Sequence, residues 1–572
     1  MKRSSVAGAA SILVIAASAA LLAGGCGSSS GGNGPGPDGG GQDSSAADSP
    51  GTGPDGMSES GPTDGGDGAS PQDSGDSGDA RGASDAGDGA PPLAAGSLLV
   101  EGATLSAYVV TSDGYVAYTN DATGVASAVV LTGGAPQQMA TGTAGHMEIA
   151  RLQSILAPSI PINTAGVAVF TDTIVADGGV ANLPFTTWTN TGGSQTWWGP
   201  GTTTLDLAGS RNGSRVSWFQ LGSSAGHGTL DVSSSTFQQA YTVANNLPNH
   251  PGVAFGGVND TDLIVALPTG VLEAYDTSTG TAKTISSNLP TPVGAQSFLL
   301  DSTAMHVAYV DAAGSFWVAT APAYTPTLVS SVAGIQQFPL FSPDGATLYF
   351  NDTSGNIYRS PVPIPGTVTV ASGALQGLNA VSPDGNWLLA SNAYASNPFP
   401  EQDVLVISAQ ATGGTLTAVD SMPHAWQQGF TADSTHVLVG ANPSTVSGET
   451  GGLPNAPQTT LLAYDIASHT LSSSLSTSML STAVAATGTL AVFHDNPRTG
   501  SAPGTLLCDL RSVDVGVSSP VSKLIQSDVE CGSHLGVGGL PFVPILSADA
   551  KTVVYSYQGT AFRPGVYAYM LP

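Results

Sequence analysis

The sequence predicts an all-β fold, a β-propeller of four-stranded blades. Three observations predict it. The chain has 74 glycines and 39 prolines, and Thr, Val and Ser are common beside them, the vocabulary of short strands and turns. Ser-Pro-Asp-Gly occurs twice, in "FSPDGATLYF" from Phe341 and "VSPDGNWLLA" from Val381, each time before an alternating apolar run. Weaker copies of the same unit recur along most of the chain, on average about 48 residues apart, and internal periodicity of this length is a repeat architecture.

Charge narrows the class of partner. Forty-one acidic residues stand against 13 basic ones, a formal net charge of -28. Nucleic acid is excluded as a partner, because phosphate contacts need clustered Lys and Arg.

The first element is a targeting segment. Lys2 and Arg3 precede the apolar run "VAGAASILVIAASAALLA", and Ala23, Gly24 and Gly25 lead directly to Cys26. This order resembles the bacterial lipobox, whose cysteine is lipidated and becomes the mature N-terminus. Ala23 replaces the usual Leu three before the cysteine, and Leu22 sits one position earlier. The resemblance covers this segment alone. It implies a signal peptide over 1–25 and a lipid on Cys26; an ordinary cleaved signal and an uncleaved anchor are the other readings. Gly27 rather than Asp follows the cysteine, which by the same resemblance implies the outer membrane, facing the periplasm or the cell surface. No later stretch approaches the ~20 apolar residues of a membrane helix, so the expected membrane contact is the lipid anchor only.

Residues 26–93 read as a tether. "GSSSGGNGPGPDGGGQDSSAADSPGTGPDG" is nearly all Gly, Ser, Pro, Asp and Ala, and from Gly27 to Pro92 there are 12 acidic residues and one basic residue, Arg81. Such a segment buries too little apolar area to offset its ordering entropy and is expected to stay disordered. Its end-to-end distance is roughly 40–50 Å for a Gly-rich coil, and self-repulsion extends it. No part matches the EF-hand calcium loop.

From residue 94 the pattern becomes apolar runs between turns. Ten anchors can be aligned on Asp344: residues 113, 164, 212, 259, 301, 344, 384, 433, 487 and 549. Each has apolar residues spaced by two after it, a strand with one face buried. Pro343 and Pro383 cannot donate to a ladder and end the incoming strand. The Asp bonds its own backbone and the Gly accepts positive φ. A second turn and third strand follow in "NDTSGNIYRSPV", so the unit is a meander, as a blade requires. Ten signals allow seven to ten blades in one ring, or two smaller rings.

"FSPDGATLYFNDTSGNIYRSPV" resembles the repeat of TolB-type, WD-repeat-like propellers, most clearly over 338–395. Similar repeats form the propeller domains of prolyl-oligopeptidase-like enzymes. The tether stands where TolB has a separate N-terminal domain. The chain's last strand, "GVYAYMLP", is the third of its blade, while "GSLLVEG" at 96–102 is an unclaimed strand. The N-terminal strand is therefore expected to complete the last blade and leave no open edge.

Few residues carry chemistry. Cys508 and Cys531 are the cysteines left beyond the tether, and outside the cytoplasm such a pair reads as a disulfide, with two unpaired thiols as the other reading. No metal site is expected, since no CxxC or HExxH occurs. His250 and His424 each sit nine residues before an anchor, at the start of an innermost strand, and are candidate channel or ligand contacts. Trp188, Trp197 and Trp198 fall in "TTWTNTGGSQTWWGPG", read as an insertion whose rings could stack on a sugar or peptide, or fill a gap between blades. No G-x-S-x-G elbow, P-loop or dinucleotide fingerprint is present, so no catalytic residue or cofactor is assigned. The repeated aspartates read as turn residues. Two functions follow: a lipid-anchored propeller that binds an envelope protein or glycan as a scaffold, or a propeller enzyme, a lyase or hydrolase of polysaccharide or peptide, with its site at the central channel.

Overall fold

The computed structural model describes residues 94–572 apart from short internal segments, the longest being 152–165, 332–338, 416–424, 445–457 and 534–543. Leu105–Val110, Tyr115–Asn120, Val125–Val130 and Gln137–Thr141 form one antiparallel four-stranded meander. The same unit repeats to the end of the chain. We number the blades 1 (105–141), 2 (148–197), 3 (203–247), 4 (252–286), 5 (298–330), 6 (340–372), 7 (375–408), 8 (425–479), 9 (481–533) and 10 (545–570). Eight of the ten anchors fall in or beside the first turn of a blade; Thr164 and Asn212 lie outside the described residues. The count is thus the upper end of the range the sequence allowed.

Two blades depart from the plain meander. Gly414–Thr415, which follows blade 7, pairs in parallel with Val368–Ser372 of blade 6, so blade 7 has three strands among the described residues, the last of which pairs with Ala425–Phe430 of blade 8. In blade 8 the third strand, Gln458–Asp465, carries two short partners, Thr470–Leu471 and Ser476–Met479.

Alternating strand residues leave each blade on both faces, and the apolar ones interlock with the next blade. Phe255 and Leu263 of blade 4 pack on Phe219 and Leu230 of blade 3. Tyr309 and Val307 of blade 5 pack on Ile264 and Ala274 of blade 4. Phe316 of blade 5 meets Phe350 of blade 6 edge to face, with centroids 5.3 Å apart. Comparable buried clusters join blades 6 to 7, 7 to 8, 8 to 9 and 9 to 10. One more cluster joins blade 10 to blade 1 through Val554, Val566, Val110 and Val116. Blades 3 to 10 and on to blade 1 therefore form one continuous series and not two rings.

The N-terminal strand supplies the joint. Ser97–Glu101 pairs antiparallel with Gly565–Met570, Ser97 opposite Ala568 and Glu101 opposite Gly565. It is the outer strand of blade 10, and the chain then passes into the innermost strand of blade 1. A Cβ at Gly96 (φ +93°) or Gly565 (φ +157°) would overlap the carbonyl oxygen of Ala568 or Val100, so the two backbones approach too closely there for any other residue.

The first turns of blades 6, 7, 8 and 10 repeat one hydrogen-bond pattern. Ser342 N–H donates to Thr347 O at 2.7 Å, Ser342 Oγ donates to Asp344 Oδ1 at 2.5 Å, and Thr347 N–H donates to Ser342 Oγ at 2.9 Å. Ser382, Thr431 and Ser547 do the same with Asp384, Asp433 and Asp549. Blade 5 corrects the sequence alignment. Asp301 N–H donates to His306 O, so Asp301 stands where Ser342 stands, two residues before the expected place. Thr303 takes the Asp344 position and donates to the Asp301 carboxylate. Serine and aspartate roles are exchanged, and the local geometry survives because either side chain can bridge the same backbone groups.

Candidate functional site

Each blade's first turn and its third-to-outer turn lie at the same end, because a meander reverses at every strand. At this end, between blades 4 and 5, lies a cavity of about 360 Å³. Asp262 opens the second strand of blade 4, Asp262–Ala266, and Asp276 closes its third, Leu272–Asp276. Thr279 and Thr281 line the cavity from the following turn, and Lys283 from the outer strand, Ala282–Ser286. Pro322 and Tyr324 reach it from the corresponding turn of blade 5.

The central contact crosses the seam. Tyr324 Oη donates to Asp262 Oδ2 at 2.6 Å. Tyr324 is buried and held at φ 54°, a backbone conformation that costs on the order of 1 kcal/mol for a non-glycine residue. Gly257 makes room on the other side, since a Cβ there would overlap the Asp262 carboxylate. Burial pushes the Asp262 carboxyl above its ordinary range, more than the Tyr324 hydroxyl lowers it, and Asp276 adds to the rise. Burial and the neighbouring carboxylate also raise the Tyr324 phenol. Asp276 behaves oppositely. The Ser278 hydroxyl and N–H and the Thr279 N–H bond its carboxylate and lower its pKa. Lys283 Nζ donates to Pro322 O at 2.7 Å. Two carboxylates and several threonine hydroxyls thus face one ammonium. This favours a positively charged, hydrogen-bond-donating group over an anion.

The candidates read from the sequence fall elsewhere. Trp188 is 2% exposed. It lies on Phe185–Thr189, the third strand of blade 2, and meets Tyr115 of blade 1 edge to face at 5.5 Å. It is a seam residue and not a ligand platform, and it belongs to a strand and not to an insertion. Trp197 ends the outer strand of that blade, Gly193–Trp197, opposite Phe185. Trp198, His250 and His424 lie outside the described residues, as do Cys26 and the whole of 26–93; the residues after His250 and His424 do lead into innermost strands, Gly252–Gly256 and Ala425–Phe430. Cys508 and Cys531 lie on neighbouring strands of blade 9, Thr505–Asp514 and Lys523–Ser533, both fully buried and joined by a disulfide.

Sequence reasoning missed Asp262 and Tyr324. Asp262 follows the degenerate copy "FGGVNDTD", and Tyr324 sits in the turn "TAPAYTP". Each is unremarkable alone, and only the packing of blade 4 on blade 5 joins them across 62 residues.

No family model matches the chain, and no curated protein sequence matches it. Among solved structures it is similar to the tricorn protease, at 11% identity and TM-score 0.28, over 83% of this chain and 58% of that one. It thus spans little more than half the tricorn protease chain. It is similar to the C-terminal WD40 domain of Sif2, at 11% identity and TM-score 0.33, over 61% of this chain and 95% of that one. It is also similar to TolB from Acinetobacter baumannii, at 11% identity and TM-score 0.24, over 54% and 79%. The fold is a β-propeller, and its strand pairing carries that assignment.

Proposed function

We propose that the protein is a lipid-anchored, extracytoplasmic propeller that binds an envelope protein through basic side chains. The observation that carries the anchor is the order of the first 93 residues: positive start, apolar run, small residues, Cys26, acidic tether. A buried disulfide in blade 9 supports an oxidising compartment. Of the 41 acidic residues 12 lie in the tether, which leaves 29 against 10 basic side chains in 94–572, a field that steers cationic partners. The cavity beside Asp262 is the place for a Lys or Arg side chain of that partner. The outer membrane, with the domain on its periplasmic or external side, is the location this reading implies.

Expression in a Gram-negative host tests the anchor. The wild-type chain is expected in the detergent-soluble membrane fraction, its N-terminal peptide carrying fatty acyl groups on Cys26, and Cys26→Ala in the aqueous fraction. A wild-type N-terminal peptide with no fatty acyl group on Cys26 would reject the lipid anchor. For the cavity, the probe is a lysine-containing peptide amide and its Nε-acetylated form. Binding of the first alone, lost in Asp262→Asn, is expected; equal binding of both would reject a cation site.

A further inference from the structure

We infer that the end of the domain where the tether joins is a membrane-docking surface, its contact being the turn between the third and outer strands of blade 9. This rests on the lipid-anchor reading above.

The apolar exposure of the domain is uneven. Among the described residues, the two most exposed large hydrophobic side chains are Met570 at 78% and Val521 at 70%. Val517 at 48% and Leu524 at 53% accompany them. Val517 and Val521 occupy the turn between Thr505–Asp514 and Lys523–Ser533, and Leu524 is the second residue after it. Met570 ends the third strand of blade 10, Gly565–Met570, at the same end of the fold. Side chains of this kind, grouped and in water, mark an interaction surface.

Charge agrees with a lipid partner. Lys523 is exposed between Val521 and Leu524, and Lys551 is exposed in the first turn of blade 10. Leu571 N–H donates to Lys551 O at 2.8 Å, which sets Lys551 beside the strand that Met570 ends. Of the 10 basic residues in 94–572, five lie in blades 9 and 10: Arg498, Arg511, Lys523, Lys551 and Arg563. Lys523 and Lys551 are the two of these that stand at this end; Arg498, Arg511 and Arg563 pair with Asp509 and Asp528, with Asp495 and with Glu101.

The chain itself names the occupant. The tether enters the fold at this end. Ala95 N–H donates to Gln526 Oε1 at 2.9 Å, two residues from Leu524. Tyr555 Oη donates to Ala95 O, and Ala94 is buried beside Tyr567. From there Ser97–Glu101 runs to the opposite end. A lipid on Cys26 would hold this surface within roughly 40–50 Å of the bilayer on a Gly-rich coil. Linkers of that kind give effective concentrations on the order of mM, so a contact too weak to recruit a free protein is populated once tethered. Valine, leucine and methionine enter the headgroup boundary, and Lys523 reaches the phosphates.

The experiment uses the lipidated full chain in phosphatidylcholine vesicles whose acyl chains carry bromine, with a fluorophore on Ser522→Cys. Strong quenching is expected, together with little quenching of a label on Thr353→Cys, which is exposed in the second turn of blade 6 at the other end. Val521→Asp with Leu524→Asp should cut the Ser522 quenching by more than half, and Val521→Ser with Leu524→Ser by a smaller amount, while all forms still float with the vesicles. Equal quenching at both labels, or quenching unmoved by the aspartates, overturns the proposal. The two readings fail separately. An unlipidated Cys26→Ala chain that is quenched only at high lipid supports the surface whatever the state of the anchor. A chain that floats without quenching at Ser522 retains the anchor and refutes the surface.

Discussion

The backbone N–H of Asp384 donates to Ser434 Oγ at 3.0 Å, tying the first turn of blade 7 to the first turn of blade 8. The link recurs along the series with different atoms. Gly257 N–H donates to Ala304 O, Ser302 Oγ donates to Pro343 O, and Asp433 N–H donates to Gly488 O. The Ser-Pro-Asp-Gly turn ends one strand and also touches its counterpart in the neighbouring blade.

These turns should make stability fall in acid. The Ser342 hydroxyl and Ala346 N–H hold Asp344 below its ordinary pKa, and the Ser547 hydroxyl does the same for Asp549. At Asp384 and Asp433 burial opposes the shift, but the bonds from Ser382 and Thr431 and the neighbouring N–H groups outweigh it. A depressed folded pKa gives stability that is complete above the unfolded value, ~3.9, and is lost as pH falls through the folded value. Denaturant midpoints should therefore drop below about pH 4. Asp344→Asn with Asp384→Asn should flatten that slope.

Gly345 should tolerate alanine far less than Gly280. Both hold positive φ, +71° and +69°. A Cβ at Gly345 overlaps Asp301 Oδ2 from blade 5, whereas nothing lies within 4 Å at Gly280. Gly280→Ala should cost about 1 kcal/mol, the backbone penalty alone. Gly345→Ala should cost roughly twice that or more, because Asp301 is fully buried and bonded to Thr303 and His306 and cannot retreat. Urea titration of the two variants compares them.

Trp188→Ala should destabilise the domain by about 3–5 kcal/mol, the range for a large aromatic removed from a packed interior. A sugar-stacking tryptophan would instead lose ligand affinity with little change in melting temperature. Thermal unfolding of the variant separates the two.

Asp262→Asn should leave the domain at least as stable at pH 7. Its folded pKa is raised, so the ionised form opposes folding above the unfolded pKa and that cost disappears on protonation. The difference between wild type and variant should shrink as pH falls below the folded value and be gone below the unfolded value, ~3.9. A clear loss of stability at pH 7 would show that the Tyr324 bond outweighs burial of the charge.

The architecture was legible because a blade is a local object. Its two-residue alternation, its proline-ended first strand and its Asp-Gly turn lie within a few residues, and ten copies average out degeneracy. The closing strand was legible too, since an unclaimed apolar run preceded a blade short of one strand. Asp301 shows the limit: a sequence template follows letters, while the turn accepts Ser and Asp in exchanged order. The role of Trp188 and the pairing of Asp262 with Tyr324 depend on which blade faces which, and no short-range pattern encodes that.

Hydrogen exchange on the full chain tests the central claim, that Ser97–Glu101 completes blade 10 and joins it to blade 1. The amides of Gly565–Met570 should be protected on both edges of the strand, as in the third strands of blades 4 and 5, and Leu99→Asp should release them while blades 4 and 5 stay protected. Exchange of Gly565–Met570 at the rate of a solvent-facing edge strand in the wild-type chain would contradict the account.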